Sequence, residues 1–384
     1  MSRKSIKSVL TLTTQYANNM GALLQCHALA KYLNIQESVD CKVLQYQPEG
    51  YNKSWSFFNK PLTFRDLIKN IYCFLNPNLL VPKIKKQKIM RKFISDYIPL
   101  TSEQYKRKDI EQNPPKADAF VCGSDQIWNF KYRRDLTYFF DFVNKEESRI
   151  VAYAPSIADP WKEEDAKFIA PYLKRFDSLS VRETPNLLQV KELSPENNPT
   201  VVCDPVFLLE KQQWDDIADT KLEPNEPYIF CYFLSVTPLA IETVKKMREL
   251  TGLKVVHFNL NALDKFKSEY NIRIAGPTDF VGLIKNATYV CTNSFHCSAF
   301  SIIYRRNFMF VPKNMANERI TSLVGKFRLS DVFVSKDKIK TMTIEDLKVD
   351  YSRTEGCIEG FIAQSKEYLH NALKDERQDN QACR

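Results

Sequence analysis

Four times in succession the first half of this chain runs as a short apolar stretch and stops on small, polar or charged residues. Residues 117–122 end in Gly123-Ser124-Asp125-Gln126-Ile127-Trp128-Asn129, residues 150–154 in Pro155-Ser156-Ile157-Ala158, residues 179–181 in Arg182-Glu183, and residues 201–203 in Asp204-Pro205. Short apolar runs bounded by turn residues predict buried strands of a parallel sheet. Such strands end at one edge of the sheet, so the residues that stop them line that edge together, where open α/β sheets bind ligands. The repetition makes the pattern specific; any one of these turns alone is unremarkable.

The chain opens in the same manner. Residues 6–12 predict a strand, 13–20 a polar loop, and Gly21 the start of a helix through Leu33, with residues 41–46 closing a βαβ unit. A loop carrying Asn18-Asn19 before a glycine-initiated helix lets backbone approach a phosphate or a sugar. Asn19 and Gly21 are therefore candidates for binding a phosphate or a sugar, on a weaker signal than a true glycine-rich fingerprint. His27 falls inside the helix and reads as a packed side chain.

Residues 210–227 are polar and bracketed by Pro224 and Pro227, which predicts a domain boundary. A second α/β set follows, with strands at 228–234, 254–258, 289–292 and 307–311. Helices are expected at 238–251, at 279–286 with Asp279 as its cap, at 319–329 and at 356–373. At 289–292 a strand runs into Asn293-Ser294-Phe295-His296, and an apolar helix pattern begins behind it. That setting places Asn293, Ser294 and His296 beside a helix N-terminus, which favours an anion. His296 is the only one of the four histidines so placed; His257 reads as structural and His370 as surface. The plan is an α/β protein with one domain over 1–209, a second over 228–345, and a C-terminal helix and tail over 346–384.

The first domain is expected to carry a helical insertion at 50–110, covering its substrate side. Its aromatics (Tyr51, Trp55, Phe57, Phe58, Phe64, Tyr72, Phe74) give way to a basic run from Lys83 to Lys92. That run fits either a solvated face or a surface resting on anionic lipid headgroups. The net charge of +9 favours phosphate esters, nucleotides, acidic glycans or a membrane surface, and a lysine-rich solvated exterior explains it equally well. No nucleic-acid motif accompanies it, so no nucleic-acid partner is expected. The ten cysteines lie scattered in apolar runs without a C-x-x-C pair, which predicts free buried thiols in a reducing cytosol and no metal site. There is no apolar run of about 18 residues and no signal-peptide pattern, so the expected location is cytoplasmic, with at most peripheral contact at the inner face of the membrane.

Taken in order, Gly123–Asn129, Tyr153-Ala154-Pro155-Ser156, Ser180-Val181-Arg182-Glu183, Cys203 to Leu209 and Thr292-Asn293-Ser294-Phe295-His296 resemble the motifs of the polysaccharide pyruvyl transferases. Asn19-Met20-Gly21-Ala22-Leu23-Leu24-Gln25 fits that family's first glycine turn. The resemblance runs from about residue 8 to 330, leaves the insertion unmatched, and implies two Rossmann-like domains facing a cleft, as in GT-B glycosyltransferases. It implies transfer of the enolpyruvyl unit of phosphoenolpyruvate onto two hydroxyls of one sugar, giving a cyclic ketal. Phosphoenolpyruvate is then a co-substrate, no cofactor is needed, and the acceptor is a sugar of a polysaccharide, a nucleotide- or lipid-linked precursor or a cell-wall glycan.

Within that chemistry His296 matches the family's catalytic histidine, as proton donor or base. Asp125 would orient the imidazole or hold a sugar hydroxyl, or else cap a helix after its turn. Arg182 and Arg319 suit the donor's phosphate and carboxylate, the alternatives being a surface pair with Glu183 for Arg182 and a structural salt bridge for Arg319. Ser294 and Asn293 are further donor ligands, and Asn19, Gly21, Ser124 and Gln126 fall on the acceptor side. Family members carry an arginine two residues before this histidine; here that position is Ser294, so either the phosphate falls to Arg182, Arg319, the Ser294 hydroxyl and helix N–H groups, or the donor differs. The alternatives are a GT-B-like glycosyltransferase using a nucleotide sugar, which would need a carboxylate such as Asp264 or Glu318 for the ribose, and a non-catalytic glycan-binding relative.

Overall fold

The computed structural model describes residues 6–50, 55–56, 64–131, 134–260, 266–313 and 318–374. Tyr51, Phe57, Phe58, Asp264, the tail beyond residue 374 and the side chains of Phe64 and Glu318 lie outside the described residues. The chain divides into two compact units. The first comprises Met1–Tyr51, Tyr97–Leu209 and Ile358–Arg384, the second Asn52–Asp96 and Glu210–Cys357.

The first unit is built on strands β1 (Ser8–Leu12), β2 (Asp40–Tyr46), β3 (Leu100–Tyr105), β4 (Ala119–Cys122), β5 (Arg149–Ala152), β6 (Ser178–Val181) and β7 (Thr200–Val201). Their order is β3-β2-β1-β4-β5-β6-β7, and every pairing is parallel. The four strands read from the apolar runs are all present, each stopping before the polar residues. The order reverses between β1 and β4, which places the switch point of the sheet, where α/β sheets bind ligands, at the loops after those two strands. Beneath the sheet, Trp128 stacks on Phe139 with ring centroids 4.9 Å apart and packs edge-on against Phe176.

Two expectations about this unit change. Residues 100–105 are the edge strand β3, not part of a helical insertion. Their polar sequence, Leu-Thr-Ser-Glu-Gln-Tyr, suits an edge that faces water. The C-terminal helix (Glu355–Leu373) is tied back to the first sheet from Ile358 onward rather than forming a segment of its own. Tyr368 donates to the Ala152 carbonyl at 2.9 Å, the Cys203 N–H to Ser365 Oγ at 2.9 Å, and Arg149 Nη1 to the carbonyls of Ala372 and Lys374.

The second unit carries β8 (Tyr228–Tyr232), β9 (Lys254–Phe258), β10 (Tyr270–Ile272), β11 (Tyr289–Thr292) and β12 (Asn307–Phe310). The order is β10-β9-β8-β11-β12, again parallel, with its own reversal between β8 and β11. The helix Pro77–Tyr97 belongs to this unit, although the insertion was expected to cover the first domain. Its Met90 and Phe93 are buried, its Ile89 fills the space left by Gly276, and the Lys86 ammonium lies 5.9 Å over the Phe258 ring. The helix expected from Asp279 starts at Pro277. Asp279 is not its cap residue; from inside the first turn its Oδ2 accepts the Gly276 N–H at 2.8 Å. The eight cysteines whose side chains are described are free, and seven of them are buried.

Candidate functional site

At the switch point of the first sheet the loops after β1 and β4 are stitched together. Thr13 Oγ1 donates to the Ser124 carbonyl at 3.1 Å, Gln25 Nε2 to Thr13 Oγ1 at 2.8 Å, and the Ser124 N–H to Gln25 Oε1 at 3.0 Å. Gly123 adopts φ +130°, and a Cβ there would stand 1.8 Å from the Tyr153 carbonyl oxygen, so only glycine fits this crossing. Asp125 follows with φ 66°, its Oδ2 accepting from Thr14 Oγ1 at 3.0 Å, and it remains partly open to solvent beside Gln126. No helix follows it for the carboxylate to cap; the next residues form a turn closed by the Ile127 N–H on the Asp125 carbonyl.

Behind this rim lies a charged core. Arg182 is 5% exposed; its Nε donates to Glu183 Oε1 at 2.9 Å and its Nη1 to Asp204 Oδ2 at 2.7 Å. Glu183 and Asp204 are each 1% exposed, so Arg182 and Glu183 belong to a buried triad with Asp204 and do not form a surface pair. Burial works against the guanidinium's charge, but Glu183, Asp204 and Asp125 outweigh it and hold the proton above the ordinary arginine range. Asn186 Nδ2 bonds Glu183 at 2.8 Å, and Asp204 Oδ1 accepts the Val206 N–H at 3.1 Å. The Ser124 hydroxyl is wholly buried and donates to the Ala154 carbonyl at 2.8 Å. Asn19 is the N-cap of the helix Met20–Gln36, which therefore starts one residue before Gly21, and its side chain accepts the Ala22 N–H at 3.1 Å.

The second group forms at the other switch point. Asn293 bridges to the loop after β8, its Oδ1 accepting the Leu234 N–H at 2.7 Å and its Nδ2 donating to the Ser235 carbonyl at 2.8 Å. Ser294 is the N-cap of the helix Phe295–Ile303, its Oγ taking the Cys297 N–H at 3.4 Å and its carbonyl the Ser298 N–H. His296 sits in the first turn of that helix, 7% exposed, its ring edge-on to Phe295 at 5.2 Å. Asn293 and Ser294 thus shape the turn that presents His296.

Parallel neighbours bring cations to the same edge. Lys313 lies three residues past the end of β12, which pairs with β11, and Arg319, near enough to act on its charge, lies in the first turn of the helix Glu318–Lys326. Partial burial and the nearby Arg319 hold the Lys313 ammonium below the ordinary lysine range. At the end of β9, Lys86 is pushed down to about 8 by burial. Neither lysine was singled out as a ligand from the sequence. Lys86 was hidden in a basic run that reads as solvated, and Lys313 comes to the edge only through the pairing of β12 with β11. Among the described residues no cluster of His, Cys, Asp and Glu is placed to hold a metal ion.

The structure therefore brings Asp125, Ser124, Arg182 and Gln126 to one switch point with Thr14 and Asp204. It places His296, Asn293 and Ser294 at the carboxyl edge of the second sheet, with Arg319 in the helix that follows the neighbouring strand β12. The sequence model of one family, described as polysaccharide pyruvyl transferase, matches residues 19–312. No curated protein matches the chain. Among solved structures it is similar to UDP-GlcNAc 2-epimerase from Methanocaldococcus jannaschii, at 12% identity, over 94% of this chain and 100% of that one, with a TM-score of 0.55. It is also similar to UDP-N-acetylglucosamine 2-epimerase from Rickettsia bellii, at 10% identity, over 96% of each chain, with a TM-score of 0.52. These likenesses show a GT-B-like α/β fold.

Proposed function

Since the chain belongs to the polysaccharide pyruvyl transferase family, we propose that this transferase moves the enolpyruvyl group of phosphoenolpyruvate onto two hydroxyls of one sugar in a glycan precursor. The family match over most of the chain carries this reading. In the reaction both hydroxyl oxygens bond to C2 of the donor and the C2–O–phosphate bond breaks. One hydroxyl proton goes to the methylene carbon, which becomes the ketal's methyl group, and the other leaves with inorganic phosphate.

His296 is the proton-transfer group in this account. A histidine is the side chain suited to both steps near neutral pH, and the helix N-terminus beside it favours the anionic donor. Lys313 and Arg319 hold the donor's phosphate and carboxylate, which answers the serine at position 294. Arg182, with Nε and Nη1 already on carboxylates, positions the strand ends from within instead of gripping phosphate. Asp125 and Gln126 stand on the open rim of the first switch point, with side chains of the kind that bind sugar hydroxyls. The acceptor in this reading is a nucleotide- or lipid-linked sugar.

The test is inorganic phosphate release from phosphoenolpyruvate in the presence of a panel of nucleotide- and lipid-linked sugars, with mass analysis of the product. A pyruvate ketal on the sugar is the expected outcome. A glycosyl transfer product from a nucleotide sugar, with phosphoenolpyruvate unconsumed, would replace this reading.

A further inference from the structure

The helix Phe64–Leu75 leaves its apolar face uncovered. Leu67, Ile68, Ile71, Tyr72, Phe74 and Leu75 are between 43% and 68% exposed. At helical spacing these six fall within an arc of about 160°, so they form one face and not scattered side chains. A contiguous apolar surface of this kind marks an interaction site.

The next helix supplies the complementary half. On Pro77–Tyr97, Val81, Lys85, Lys88 and Lys92 recur at i, i+4, i+7 and i+11 and form one exposed stripe, while Met90 and Phe93 on another side are buried. From Leu67 to Ser95 the sequence contains no Asp or Glu and seven lysines and arginines. Such a stretch repels a basic surface and gains nothing from a neutral one. An anionic bilayer offers apolar depth and dense negative charge side by side, the combination this segment matches. No helix of the described residues is long and apolar enough to cross a membrane, so the contact is with its surface.

We propose that residues 64–92 dock this protein on a membrane surface rich in anionic phospholipid. The helix Phe64–Leu75 lies in the interface with its apolar face toward the acyl chains, and Lys85, Lys88 and Lys92 rest against headgroups. The inference is independent of the reaction proposed above.

The experiment is sedimentation of the full chain with vesicles of phosphatidylcholine alone or mixed equally with phosphatidylglycerol. The protein should pellet with the mixed vesicles at low salt, less at high salt, and not with the neutral ones. Lys85→Gln with Lys88→Gln should weaken partitioning about 30-fold at low salt, and Ile68→Glu with Ile71→Glu at least about tenfold. All four side chains are exposed, so circular dichroism and melting should match the parent. Failure of the parent to bind mixed vesicles would overturn the proposal. So would binding that ignores the isoleucine changes, since charge alone would then explain it. A dimer in solution that those changes dissolve, without vesicle binding, would assign the face to a second copy of the chain.

Discussion

Arg182 is held by two carboxylates that have almost no access to water, and that arrangement decides what its removal does. Taking away one partner of a buried ion pair leaves uncompensated charge and costs about 3–5 kcal/mol. Arg182→Ala should therefore lower the urea midpoint strongly, before any question of donor affinity arises. Unchanged stability with lost affinity for phosphoenolpyruvate would return Arg182 to the donor site. His296→Gln should behave in the opposite way, with melting close to the parent and turnover reduced by about 10²–10⁴-fold in a phosphate-release assay. Normal turnover in that variant would remove His296 from the mechanism. His296 was legible in the sequence because a polar turn between an apolar strand and an apolar helix is a local pattern. The carboxylate partners of Arg182 were legible only in part. Glu183 is adjacent in sequence, but Asp204 reaches Arg182 through the pairing of β6 with β7, which no local pattern records.

At the scale of elements, the strand-to-turn repetition carried the fold far. It located β1, β2 and β4 to β7, and the second set at β8, β9, β11 and β12, within a few residues at their ends. The strands it missed are β3, a polar edge strand with no apolar run to announce it, and β10, only three residues long. Helix starts were read less well. Asn19 and Ser294 read as ligands from the sequence, and in the structure their side chains also accept backbone N–H groups as N-caps. Capping residues and ligand residues share the same chemistry at a strand end, so sequence alone does not separate them. In the proposed reaction the donor's charge falls to Lys313 and Arg319, which follow β12, the neighbour of β11. Lys313→Ala with Arg319→Ala should weaken phosphoenolpyruvate binding by about 10- to 100-fold in calorimetry, one or two charge-assisted hydrogen bonds' worth. Unaltered affinity would place the donor elsewhere.

Across the whole molecule, the chain visits its two units more than once, and this discontinuity was the part least visible beforehand. The helix Pro77–Tyr97 joins the second unit through Lys86, Ile89 and their neighbours, and the last helix joins the first unit through Ser365 and Tyr368. Periodicity marks such helices as amphipathic without saying which core receives the apolar face. The two cores share one liability. Burial lowers both His27 and His257 from the ordinary 6.5 to about 4. Among the described residues neither ring nitrogen of His257 meets a hydrogen-bond partner, while His27 Nδ1 lies 2.7 Å from the Tyr97 carbonyl. The unfolded chain binds these protons more readily, so their stabilising effect is complete above about pH 6.5 and is lost as pH falls toward about 4. Urea midpoints should be flat from pH 8 to about 7 and then decline. His257→Phe should flatten that decline in part, and a decline unchanged by the substitution would exclude His257 as its source.

The central claim, that phosphoenolpyruvate is the donor despite Ser294, is tested most directly by titrating it into the purified protein in a calorimeter, alone and with candidate sugars present. The account predicts saturable binding that Lys313→Ala with Arg319→Ala weakens and His296→Gln leaves in place. Absence of phosphoenolpyruvate binding under every condition would contradict it.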